Sequence, residues 1–150
     1  MELLRRVASF GASVSDLKTI YFLFVRSQLE QSAVVWHSSL SAENKNDLER
    51  VQKSAMKIIL GEKYKGYKRA LNDLCIETLD ERRESLCLKF AKRCTINEKA
   101  TNMFPLNTKK HLMNTRNIEK YKVEHANTER FKTSPIIYMQ NLLNKNEKSK

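Results

Sequence analysis

One hundred and fifty residues, 41% of them apolar, suffice for one domain with a modest core, or for a domain with an appendage. A formal net charge of +11 favours a polyanionic partner, either nucleic acid or an anionic membrane surface. Only three glycines, two prolines and little period-two alternation argue against an all-β chain and for an all-α helical bundle of about five to seven helices.

The three cysteines, Cys75, Cys87 and Cys94, are odd in number and form no C-x-x-C pair. Neither a disulfide framework nor a zinc site is indicated, and an intracellular, reducing compartment is the expectation, nuclear and cytoplasmic left open. Met1–Phe10 has charge within it and no apolar core of signal length. The most apolar run, Ile20–Val25, is far too short to span a bilayer, so no membrane is expected among the partners.

In chain order, Met1–Phe10 reads as a short helix ended by Gly11, and with so little for a helix this short to pack on, an internal start within a longer reading frame is the expectation. Ser13 or Ser15 caps the next helix, with Asp16 in its first turn. Leu17, Ile20, Tyr21, Phe24, Gln28 and Val35 share one face of that long helix, with Val25, Ser32 and Trp36 beside them. Being apolar over much of its girth, it is expected at the centre of a bundle. Ser38–Asn46 is a polar connection with Ser41 as the cap of a second long helix. Leu48, Val51, Ala55, Met56, Ile58 and Ile59 form its inward side, Arg50, Lys53 and Lys57 a basic stripe opposite, and Gly61 its end.

Tyr67–Cys75 is a short helix with Tyr67, Ala70, Leu71 and Leu74 inward. Thr78-Leu79-Asp80-Glu81 is a T-x-x-E capping box that starts a helix to about Cys94. Its apolar side is Leu79, Leu86, Cys87, Phe90 and Cys94, with Arg83 inside the stripe as a buried ion-pair residue. From Lys99 onward eleven Lys and Arg face four Asp and Glu, so most of the excess charge sits in the last third. Phe104-Pro105 interrupts the helices, 107–117 is polar with Lys109, Lys110 and Arg116, and Tyr121–His125 alternates as a short extended segment. Ser134-Pro135 opens an amphipathic helix through Ile136, Ile137, Met139, Leu142 and Leu143, and 144–150 is a frayed tail. The organisation expected is a helical bundle over 1–97 and a basic extension over 98–150.

No catalytic set emerges. The carboxylates are scattered, there is no glycine-rich phosphate loop, and no paired aspartates stand ready to hold two metal ions. His37, His111 and His125 lack metal-ligand spacing and suit surface or hydrogen-bonded structural roles. Neither a metal, a cofactor nor a small-molecule substrate is expected. Trp36 reads as a core anchor whose indole N–H meets a nearby acceptor. The candidates are cationic: Arg50, Lys53 and Lys57 at helical spacing, Lys63, Lys65 and Lys68 interleaved with Tyr64 and Tyr67, and a weaker row of Arg82, Lys89 and Arg93. Phosphates need positive donors on a rigid surface, and these stripes offer them. Against this stands a solvated helix face, with Tyr67 packing in the core.

Val25–Gly61 resembles the segment that follows the palm in non-LTR, LINE-like retrotransposon reverse transcriptases of the jockey-like kind. The pattern R-x-x-L-E-x-x-x-x-x-W is matched by Arg26, Leu29, Glu30 and Trp36. The pattern L-E-x-x-Q-x-x-A-x-x-I-I-L-G is matched by Leu48, Glu49, Gln52, Ala55, Ile58, Ile59, Leu60 and Gly61. Tyr67, Ala70 and Leu71, then Thr78-Leu79, Arg82-Arg83 and the run 86–91 continue it, and Thr115-Arg116 and 134–144 fit its end, so nearly the whole chain is covered. The resemblance implies a helical thumb and the region after it, a part that holds an RNA–DNA or DNA duplex by its backbone while the palm of the RNA-directed DNA polymerase performs phosphoryl transfer. The palm and its carboxylate motif do not occur here, so this chain alone is not expected to be an enzyme. The alternative is a helical protein-interaction module, or a transposon remnant, whose exposed apolar surface faced the palm.

Overall fold

The computed structural model describes residues 1–107 and 119–148. Lys109, Lys110, His111, Thr115, Arg116 and the last two residues of the tail lie outside the described residues. Among the described residues the fold is an all-α bundle, whose one departure is an isolated antiparallel bridge between Leu106 and Tyr121. The chain divides into two compact units, 1–33 with 40–83 and 34–39 with 84–150.

The first unit begins with α1 (Glu2–Ser9), after which Gly11 takes the positive φ of +81° that turns the chain. Of the two candidate caps it is Ser13 that starts α2 (Val14–Ile20), its hydroxyl accepting from the Asp16 N–H at 3.2 Å. The helix then widens into a π-helical stretch, Tyr21–Arg26, and continues as α3 (Ser27–Glu30) before stopping at Gln31 and Ser32, the latter at φ +53°. The face expected from a uniform helix is therefore not preserved. Leu17 and Tyr21 are buried and Ile20 is half-buried, but Phe24 is 57% and Val35 66% exposed, and Gln28 is exposed too. Bonding from i to i+5 slows the angular advance of the side chains, so positions after Tyr21 rotate off the stripe. The break at Ser32 then resets the direction of α4 (Ala33–Trp36).

Ser41 caps α5 (Ala42–Leu60) by accepting from the Asn44 N–H at 3.1 Å. Ala55, Met56 and Ile59 are buried, with Leu48, Val51 and Ile58 half-buried, as the periodicity requires. They pack with Leu4, Leu17 and Tyr21 and with Ala70, Leu71 and Leu74 of α6 (Tyr67–Leu74). That helix ends in a Schellman motif: Ile76 N–H reaches the Leu71 carbonyl at 2.9 Å, Cys75 N–H the Asn72 carbonyl at 3.1 Å, and Cys75 sits at φ +52°. Lys18 Nζ donates to the Leu74 carbonyl at 2.5 Å, placing a cation at the negative end of α6.

The capping box forms as read. Glu81 N–H donates to Thr78 Oγ1 at 3.3 Å and Thr78 N–H to the Glu81 carboxylate at 3.2 Å, opening α7 (Leu79–Ile96). Buried positions run Leu79, Arg83, Cys87, Ala91 and Cys94, whereas Phe90, expected inward, is 43% exposed. The four-residue steps from Leu79 to Ala91 select the small side chain and leave its aromatic neighbour outside. Arg83 is wholly buried, with Nη2 3.7 Å from Asp80 Oδ1.

In the second unit Cys87, Ala91 and Cys94 pack with Phe104, Tyr121, Met139, Leu142 and Leu143. Thr128 caps α8 (Glu129–Lys132), and Pro135 is the first residue of α9 (Pro135–Lys148). The helix therefore runs through residues expected to fray. Asn144 is the reason: its side-chain amide accepts from the Tyr121 N–H at 2.9 Å and donates to the Tyr121 carbonyl at 3.0 Å. One turn earlier, Gln140 donates to the Met103 carbonyl at 2.9 Å and accepts from the Glu124 N–H at 3.4 Å. Two buried side-chain amides thus tie α9 to the backbone at Met103, Tyr121 and Glu124, and the Asn144 bonds satisfy the buried N–H and carbonyl of Tyr121. His37 is buried in this unit, its Nε2 3.3 Å from the Tyr138 hydroxyl, a hydrogen-bonded structural placement.

Candidate nucleic-acid interface

The span from Arg50 to Arg69 holds seven Lys and Arg and a single carboxylate, Glu62. It consists of the outward side of α5, the turn after Gly61, and the start of α6. All seven cations are exposed. Arg50, Lys53 and Lys57 lie along the solvent side of α5, opposite Ala55, Met56 and Ile59. Two of them lean on aromatic rings. Lys53 Nζ stands 5.1 Å from the centre of the Tyr67 ring, and Lys57 Nζ 5.7 Å from that of Tyr64. Both are within the range of cation–π attraction. Arg50 carries an ion pair with exposed Asp47 at 2.7 Å, which offsets part of its charge. Lys63, Lys65 and Lys68 flank the same tyrosines in sequence.

A polar network ties this stretch of α5 to the neighbouring helices. The Tyr21 hydroxyl donates to Gln52 Oε1 at 2.6 Å, and Gln52 Nε2 donates to the Tyr67 hydroxyl at 3.0 Å and to the Glu77 carbonyl at 2.9 Å. The Tyr67 hydroxyl in turn donates to Glu49. The Glu49 carboxylate also accepts the Leu79 N–H at 3.2 Å, so it serves as a second cap at the positive end of α7. Burial pushes the Tyr21 phenol above its ordinary value, against the opposing charge of Arg26. Burial does the same for Tyr67, reinforced by the hydrogen bond to Glu49 and its charge. Both phenols are held protonated, as donors, throughout the neutral range.

The other sequence-selected cations are placed elsewhere. Arg82 Nε lies 3.3 Å from Glu30, whose carboxylate also takes Arg26 Nε at 2.5 Å. This triad lines a cleft of about 430 Å³ with Phe22, Ser27 and Glu77. Arg26 and Lys18 stand 5.0 and 5.7 Å from the centre of the Phe22 ring. Lys89 and Arg93 are exposed on the part of α7 that belongs to the second unit. Arg26, Glu30, Glu49 and Gln52 are thus all engaged within the first unit. Sequence reasoning missed the network around Gln52. The available signal was a glutamine on the inward side of an amphipathic helix, three residues after a glutamate.

Among the described residues no group of three or more His, Cys, Asp or Glu side chains is placed to hold a metal ion, and no helix is long and apolar enough to cross a membrane. No protein-family model matches the chain, and neither a curated protein nor a solved structure matches it.

Proposed function

We propose that this chain is a nucleic-acid-binding piece resembling the thumb and following region of a non-LTR retrotransposon reverse transcriptase, and that it grips the backbone of a template–primer duplex without chemistry of its own. The observation that carries the reading is the run of seven exposed cations on α5, its turn and α6, three of them along the solvent side of α5. Lysines and arginines on a rigid helical face release counterions from a phosphate backbone whatever the base sequence. The family pattern in Arg26–Gly61 supports the same reading.

The test is fluorescence anisotropy of a labelled RNA–DNA hybrid titrated with the chain across a salt series. Binding should weaken linearly in log salt, and Arg50→Ala, Lys53→Ala and Lys57→Ala should each flatten the slope by about one. A folded sample that ignores the hybrid at low salt overturns the proposal.

A second reading, a helical module that docks on protein, is favoured by Leu23 and Phe24, side by side on the π-helical stretch and each more than half exposed. Apolar side chains displayed on a non-standard helical turn suit a packing surface. In the parent polymerase that surface would meet the palm. Aspartate at both positions should leave hybrid affinity intact under the first reading and abolish protein docking under the second.

A further inference from the structure

Tyr64 and Tyr67 interleave with lysines in sequence, a pattern that suits either stacking on bases or service to the cations. The two uses predict different ligands. A stacking tyrosine needs an open ring face, and favours unpaired bases. Here each ring has one of the α5 lysines near it, Lys53 at 5.1 Å from Tyr67 and Lys57 at 5.7 Å from Tyr64. Both rings are half-buried. Tyr67 is further fixed by its hydroxyl, which accepts from Gln52 at 3.0 Å and donates to Glu49.

We propose that Tyr64 and Tyr67 are positioning residues that seat Lys57 and Lys53 as a matched pair of phosphate contacts one helical turn apart, so that the α5 face reads duplex backbone and does not stack on bases. The proposal rests on the nucleic-acid reading above and gives it a ligand preference. The two lysines are four residues apart on α5, so their stems leave the helix from the same side about 6 Å apart along its axis. A free lysine samples many rotamers and loses them on meeting a phosphate. A ring beneath the ammonium removes part of that loss beforehand and leaves the outer side of the charge free to donate. Tyr64 and Tyr67 themselves contribute no charge, so they add affinity without adding to the count of displaced ions.

That separation of affinity from ion count is the test. Tyr64→Leu removes a ring and keeps every cation. Tyr64→Phe keeps the ring. The probes are a mixed-sequence RNA–DNA hybrid and its single DNA strand, titrated by anisotropy across the same salt series. Tyr64→Leu should bind the hybrid about two- to fivefold more weakly at every salt concentration, with the salt slope unchanged, and Tyr64→Phe should bind like the parent chain. The Lys57 ε-methylene proton resonance should move downfield in Tyr64→Leu as the ring current is lost, and stay in place in Tyr64→Phe. A parent chain that binds the hybrid while Tyr64→Leu binds equally well overturns the positioning role and leaves the nucleic-acid reading standing. A loss confined to the single strand makes the tyrosine a stacking platform and also overturns it. A parent chain that binds neither probe removes the nucleic-acid reading, and this proposal with it.

Discussion

The Tyr21 hydroxyl meets the Gln52 side-chain carbonyl at 2.6 Å, and neither residue has any exposed surface. The bond joins the π-helical stretch of the first long helix to the centre of α5. It is the innermost link of a chain of donors and acceptors that ends at the first backbone N–H of α7. Because every hydrogen-bonding site of the Gln52 amide used here has a partner of the right sense, the network stabilises one arrangement of three helices and penalises the others. Gln52→Leu keeps the volume and removes the partners, leaving the Tyr21 hydroxyl and the Glu77 carbonyl without theirs. A loss of about 2–4 kcal/mol is expected, read as a lower urea midpoint with an unchanged slope. A neutral result would mean that water replaces the amide.

The raised phenols make the same network sensitive to alkali. A phenol whose folded-state pKa lies above its unfolded value contributes stability that is complete below the unfolded value and is lost as pH rises past it. For Tyr21, stability should fall by about 1.4 kcal/mol for each pH unit above about pH 10, until its folded-state value is reached. Tyr67, raised by burial and by its hydrogen bond to Glu49, should add a decline of the same sign in the same window. Urea unfolding followed from about pH 9 to about pH 11 should show a shallower decline in Tyr21→Phe combined with Tyr67→Phe than in the parent chain. Equal slopes would show that neither phenol is protected.

Cys75 occupies the left-handed residue of the Schellman motif that ends α6, a position where a side chain is strained and glycine is not. It is exposed, and its thiol donates weakly to the Asn72 carbonyl at 3.6 Å. Cys75→Gly should raise stability by about 0.5–1 kcal/mol, the relief of strain exceeding the extra freedom that glycine has when unfolded. Thermal unfolding under reducing conditions measures it, and a lower midpoint would count against the motif.

The bundle was legible where local chemistry decides structure. Ser13, Ser41, the Thr78–Glu81 box, Gly11 and Pro135 all announce helix ends through a donor, an acceptor or a backbone preference carried by the residue itself. The inward side of α5 followed from its period. What was hidden depends on partners distant in sequence. Nothing in Tyr21–Arg26 announces a π-helical turn, yet that turn rotates Phe24 and Gln28 off the expected face, and the break at Ser32 then takes Val35 off it. Asn144 reads as the first residue of a polar tail, because an amide that satisfies a distant backbone leaves no apolar signal. Of the cationic site, the spacing showed which residues share the α5 face. It did not show that Arg82 turns to Glu30, since both residues read as ordinary surface charges.

Asn144 offers a test confined to the second unit. Asn144→Ala leaves the N–H and carbonyl of Tyr121 buried without their partner, at a cost of about 1–3 kcal/mol. Hydrogen exchange at the Tyr121 amide should accelerate by about tenfold or more, while amides of α5 and α6 keep their rates. Uniform acceleration in both units would show that they unfold together and would remove the local interpretation.

Arg82 and Lys53 were selected by the same sequence reasoning, and their surroundings now separate them. Arg82 shares the Glu30 carboxylate with Arg26, and the side chains of that triad are largely buried. Lys53 is exposed, with its ammonium 5.1 Å from the centre of the Tyr67 ring. Removing Arg82 should therefore lower stability by about 1–2 kcal/mol, because a half-buried carboxylate loses one of two partners. It should leave the salt slope of hybrid binding as it was. Lys53→Ala should do the opposite, with little change in the urea midpoint and a slope lower by about one. The two variants, measured side by side for unfolding and for anisotropy, form a crossed comparison in which overall misfolding cannot mimic the expected pattern. If Arg82→Ala lowers the slope as much as Lys53→Ala, Arg82 leaves Glu30 to meet the duplex, and the cleft between Phe22 and Glu77 belongs to the binding surface.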